Sequence, residues 1–98
     1  MSGGWIITKD RICDPKIGIA DRSGTMQGDI RADKKKGNVT PFRLYDGDDE
    51  LYYEGLISLS WLNGEAEYAF APLDWGQADA GCTSMWYKNP KTRRWEEL

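Results

Sequence analysis

Four carboxylates stand within five residues, at Asp46, Asp48, Asp49 and Glu50. Clustered oxygen donors suit hard cations such as Ca²⁺ or Mg²⁺. A helix-flanked calcium loop, however, alternates its acids, places glycine sixth and ends on a glutamate at the twelfth position. Here Gly47 directly follows the first acid, and the flanks alternate apolar and polar residues with the period of a strand. Asp-Gly-Asp-Asp-Glu is also a turn composition, because glycine supplies positive φ and aspartates bond local backbone N–H groups. The cluster is read as a hairpin turn. No metal and no cofactor is expected.

Other acids could do acid–base chemistry. Glu54, Glu65, Glu67 and Asp74 could pair as in a glycosidase, but 98 residues leave little room for a substrate cleft. Histidine is absent, so no Ser-His-Asp or Cys-His system can be assembled. The usual zinc and copper sites also lack their ligands. Cys82 would need a neighbouring cation or a helix N-terminus to become a reactive thiolate; neither is visible, and packing is its expected role. No catalytic residue is assigned, and the chain is not expected to be an enzyme.

Charge layout points instead to binding. Net charge is −3. Between positions 44 and 75 there are eight acids and no Lys or Arg, whereas positions 29–43 hold five bases and two acids. Such segregation bears on association rather than on fold. An acidic and aromatic set, Asp48, Asp49, Glu54, Asp74 and Trp75, would suit a protein partner, since interfaces are rich in aromatic anchors. Trp75 is either such an anchor or a cap folded back on the sheet. A basic set, Lys34, Lys35 and Lys36 with Arg93 and Arg94 beside Trp86, Tyr87 and Trp95, would suit phosphates and stacked bases. A sequence pI near 4.9 argues against a broad basic footprint. The favoured expectation is a non-enzymatic protein-binding module. A nucleic-acid binder using the basic loop 31–43 is the alternative, and a carboxylate enzyme the second.

The elements that must position these residues read as strands. No segment sustains the i, i+3, i+4, i+7 stripe of a long amphipathic helix. Eleven glycines and four prolines punctuate short β-branched and aromatic runs. The expected fold is mainly β: a small single-domain antiparallel sheet, barrel or sandwich of about six strands, with at most one short helix. Expected strands cover 5–13, broken at Asp14-Pro15, and 16–20, where Ile17 and Ile19 alternate. Residues 21–40 form a polar loop, with a short strand near 26–32 and an exposed, mobile tip at 34–38. A central hairpin joins 42–46 to 51–61, with Trp61 on the core face. Residues 66–71 read as either a short helix or a strand, with the alternation at Ala66, Tyr68 and Phe70 favouring a strand, 72–81 reads as an irregular loop carrying Trp75, and a second hairpin joins 82–88 to 93–97.

The stretches FRLYDGDDELYYEG (42–55), FAPLD (70–74), AGCTSMWY (80–87) and WEEL (95–98) resemble a pattern found in small uncharacterised bacterial proteins. The resemblance spans residues 42–98. It implies a bacterial or mobile-element origin, and it carries no activity and no functional residue. MSGGWIITKDRIC lacks the basic and apolar regions of a signal peptide, and no apolar run is long enough for a membrane span. A cytoplasmic protein is expected, with Cys13 and Cys82 reduced and buried as small side chains.

Overall fold

The acidic turn does join two strands of a six-stranded antiparallel sheet. The computed structural model describes residues 3–14, 16–18 and 20–98. Its elements are β1 (Gly3–Asp10), β2 (Met26–Asp29), α1 (Arg31–Lys36), β3 (Val39–Tyr45) and β4 (Leu51–Ser58). They continue with α2 (Leu59–Leu62), α3 (Ala66–Ala69), α4 (Ala71–Ala80), β5 (Ser84–Lys88) and β6 (Trp95–Glu97). The strand order is β2-β1-β4-β3-β5-β6. Pairing sets Trp5 opposite Ile57, Phe42 opposite Gly55 and Leu44 opposite Met85.

Period-2 alternation divides this sheet into two unlike faces. Trp5, Ile7, Phe42, Leu44, Tyr53, Ile57 and Met85 are buried together with Cys82. Alternating partners such as Ile6, Arg43, Glu54, Leu56 and Trp86 point to the opposite side and keep partial exposure. The helices cover the first face. Gly76 of α4 lies so close to β3 that an added Cβ would stand 2.9 Å from Leu44 Cδ1 and 3.1 Å from Cys82 Sγ. Pro72 fits the first turn of α4, where its missing N–H costs no hydrogen bond, and Gly81 ends the helix at φ 77°. On the opposite face, α1 reaches one end only. There the buried Ser58 hydroxyl donates to Asp33 Oδ2 at 2.9 Å and accepts from Gly4 N–H at 3.0 Å.

Several sequence expectations are corrected. The sheet is open rather than a barrel or sandwich: β2 and β6, of four and three residues, remain separate edges. Helices cover one face instead of a second sheet. Among the described residues there are four short helices where at most one was expected. Trp61 sits in α2, not on a strand, because β4 stops at Ser58. The segment read as a strand at 66–71 is α3 and the start of α4, and the loop read at 72–81 is the rest of α4. The four-residue helices α2 and α3 are too short to display a 3.6-residue period, and tertiary packing holds them.

Within the stretch 21–40, β2 and α1 replace much of the loop, and Lys34, Lys35 and Lys36 form the last turn of α1. The expected second strand at 16–20 is a turn at its described positions 16–18; Pro15 and Ile19 lie outside the described residues. Cys82 is buried as expected but Cys13 is exposed, because β1 ends at Asp10. Among the described residues no helix is long and apolar enough to cross a membrane.

Candidate functional site

The acidic and aromatic set does not form one surface. Asp46 Oδ1 accepts backbone N–H groups of Asp48 and Glu50 at 2.9 and 2.8 Å, and Asp49 adopts φ 61°. Asp48 and Asp49 thus build the β3–β4 turn. The Glu50 N–H, more than any other group, holds the Asp46 carboxyl below its ordinary range. Glu54 stands on the uncovered face, shared by Arg11 at 2.7 Å and Arg43 at 3.5 Å, so its charge is already answered. Asp74 and Trp75 lie on the other face, on α4.

Those last two residues fall in a built groove. Trp75 is folded back, with its ring centroid 5.5 Å from Trp5 and 4.9 Å from Tyr53. The Trp5 indole N–H donates to Gln27 Oε1 at 3.0 Å, which ties β1 to the exposed edge strand β2. Trp5, Trp75, Met26, Gln27, Thr25 and Ala71 line a cavity of about 570 Å³ whose remaining lining residues are Glu67 and Asp74. Both acids are exposed, and no Lys or Arg lines the groove. Trp75, half-buried, gives the groove an aromatic wall, and Glu67 and Asp74 have no ion-pair partner among the described residues. Sequence reasoning singled out Asp74 and Trp75 here, but read Trp5 only as core and Glu67 only as a candidate catalyst.

A second cavity of about 580 Å³ opens at the end of the sheet that carries the acidic turn. Three of its lining residues, Tyr53, Arg22 and Asp79, are bonded to one another, and Asp10 lies beside them. Tyr53 Oη donates to Asp79 Oδ2 at 2.9 Å, and Arg22 Nε donates to the same oxygen at 3.1 Å. The Asp10 carboxylate accepts backbone N–H groups of Ile12, Cys13 and Arg22 at 2.9, 3.0 and 2.7 Å. This network ties Ile12, Cys13 and Arg22 to the sheet. Asp10 and Arg22 were not singled out from the sequence, and Asp79 only as an acid flanking Trp75. The one local signal was an aspartate placed to bond N–H groups two and three residues on.

Burial raises the Tyr53 phenol, and the Asp79 hydrogen bond adds to this. Burial, with smaller help from Asp46 and Asp79, pushes the Cys82 thiol up to about 11. At neutral pH Cys82 is therefore a protonated packing group, whereas Cys13 is open to reagent. A thiol reagent at pH 8 should label one cysteine at once and the second only after denaturation; two fast equivalents would contradict the burial of Cys82. Both shifts disfavour the charged form in the fold. Their stability contribution is full below the unfolded-state values, near ~8.5 for a thiol and ~10 for a phenol. It is lost as pH rises toward the folded values, so denaturant midpoints should fall steadily above pH ~9.

The basic set is brought together. Lys34, Lys35 and Lys36 are exposed on α1, and Arg93 and Arg94 are exposed in the β5–β6 turn. Both segments lie at the end of the sheet where β3 starts and β5 finishes. No protein-family model, no curated protein and no solved structure matches this chain.

Proposed function

We propose that this chain is a non-enzymatic module that binds another protein, taking a Lys or Arg side chain of an exposed basic segment into the groove between β2 and α3–α4. The observation that carries this reading is the lining: Trp5 and Trp75 below, Glu67 and Asp74 at the rim, and no cation among the lining residues. An incoming guanidinium or ammonium would lay its stem on Trp75, which the buried Trp5 backs, and its charge beside the carboxylates. The exposed strand β2 borders the groove and offers unpaired backbone groups to an extended segment. Two unpaired cysteines, one of them exposed, fit a reducing cytoplasmic setting. A small inhibitor or accessory subunit encoded by a phage or plasmid would have this size and surface.

The test is a tryptophan-fluorescence titration with blocked peptides centred on arginine or on glutamate. The arginine peptide should change the emission and the glutamate peptide should not. Glu67→Lys/Asp74→Lys should abolish the response. Asp48→Lys/Glu50→Lys, which changes net charge equally but lies in the β3–β4 turn and spares Asp49 at φ 61°, should keep it. A response that both double variants lose alike, or no response to either peptide, would count against the groove.

A further inference from the structure

The sheet's other surface has a different chemistry. The register sets Phe42 opposite Tyr87 and Tyr45 opposite Ser84, so the start of β3 and the end of β5 share one end of the sheet. The Thr40 hydroxyl donates to the Lys88 carbonyl and fixes that meeting point. Arg31, Lys34, Lys35 and Lys36 come from α1, and Lys88, Lys91, Arg93 and Arg94 come from the end of β5 and its turn. These two segments hold eight of the chain's 13 Lys and Arg, with one acid, Asp33, among them. The other five bases share the rest of the chain with 15 of its 16 acids. An acidic sequence thus folds into a molecule with one strongly cationic end. Of the acids in or beside these segments, Asp29 is engaged by Arg31 at 3.2 Å, Asp33 by Ser58 and Glu96 by Asn89, while Glu97 is exposed opposite Trp86.

The face that runs away from this end is the one that α2–α4 leave uncovered. It carries two partly exposed indoles on neighbouring strands, Trp86 on β5 and Trp95 on β6, with β6 the sheet edge. The Arg43 guanidinium lies 4.1 Å from the centroid of the Trp95 ring, and Arg43 pairs with Trp86 across the strands. Phosphates suit the cationic end, and bases suit a flat sheet face bearing indoles and a stacked guanidinium. Bases are free to lie on such a face only when they are unpaired. We propose that the cationic end and the Trp86–Trp95 face bind single-stranded nucleic acid, on a surface separate from the groove.

Binding of a fluorescein-labelled oligothymidylate of about 20 nucleotides, followed by anisotropy, tests this. Affinity should fall with salt with a log–log slope of about −3 to −4, as expected for four to six phosphate contacts. The oligonucleotide should quench tryptophan emission, and a duplex of equal length should bind more weakly. Lys34→Glu/Lys35→Glu/Lys36→Glu and Lys91→Glu/Arg94→Glu should each weaken binding about ten-fold or more. These positions are exposed, so the fold survives; Arg93, at φ 62°, is left in place. Trp95→Ala should remove much of the quenching. No binding at low salt would overturn the proposal. So would equal affinity for heparin without quenching, or affinity unchanged in both charge variants.

Discussion

Trp5→Ala should lower folding stability by about 3–5 kcal/mol, the range for deleting a buried large aromatic. Trp5 is 1% exposed and packs edge-on to Phe42 at 6.4 Å and against Trp75 at 5.5 Å. Its loss leaves a cavity under α4 and strips Gln27 of its indole donor, so β2 loses a side-chain tie to β1. A chain of this size has roughly 5–15 kcal/mol in total, so the variant should be marginal at 37 °C. Urea unfolding should show a lowered midpoint with an unchanged slope. A loss below about 1 kcal/mol would mean that the indole is not the keystone of this core.

Gly55→Ala should be as costly, for the opposite reason. Gly55 lies in β4 between β1 and β3, and an added Cβ would stand 2.2 Å from the Ile6 carbonyl oxygen and 2.6 Å from the Phe42 ring. Either the β1–β4 pairing spreads or Phe42 leaves its place in the core. Overpacking of this kind costs about 1–3 kcal/mol where neighbours can yield, and more where one of them is backbone. Gly47→Ala is the control: nothing lies within 4 Å of its Cβ position and its φ is ordinary, so it should stay within about 0.5 kcal/mol of the parent. Comparable losses in the two variants would refute a steric origin.

Gly55 also shows what the sequence could and could not disclose. The alternation from Leu51 to Ile57 disclosed β4, its core face and its hairpin with β3, because a period of two is a local property. The second hairpin was legible from its turn, Lys88-Asn89-Pro90-Lys91-Thr92. The helical half was not. Gly76 reads as a breaker, yet it is glycine because α4 must approach Leu44 and Cys82 closely. Ala66, Tyr68 and Phe70 alternate like a strand, but Tyr68 is exposed beside Trp61 at 5.0 Å while Ala69 is the buried residue of α3. Openness of the sheet was hidden too, since a face covered by helices and a face covered by a second sheet ask for the same alternation.

The site was legible in pieces. Asp74 and Trp75 were visible as an acidic aromatic pair, and the basic residues as two clusters. Their surroundings depend on register. Only the β1–β2 pairing and the α3–α4 placement bring Trp5, Gln27 and Glu67 to Asp74, and only the β3–β5 pairing brings Arg93 and Arg94 toward the lysines of α1. Asp48, Asp49 and Glu54 looked like part of the acidic surface. The fold spends them on a turn and on two arginines.

The groove is the central claim, and partner capture tests it most directly. The wild-type protein, Glu67→Lys/Asp74→Lys and Asp48→Lys/Glu50→Lys would each be immobilised and exposed to native lysate with and without nuclease, and bound proteins identified by mass spectrometry. The account predicts one dominant protein partner that survives nuclease, is retained by the turn variant and is lost from the groove variant. A partner kept equally by all three proteins, or capture that vanishes entirely with nuclease, would contradict it.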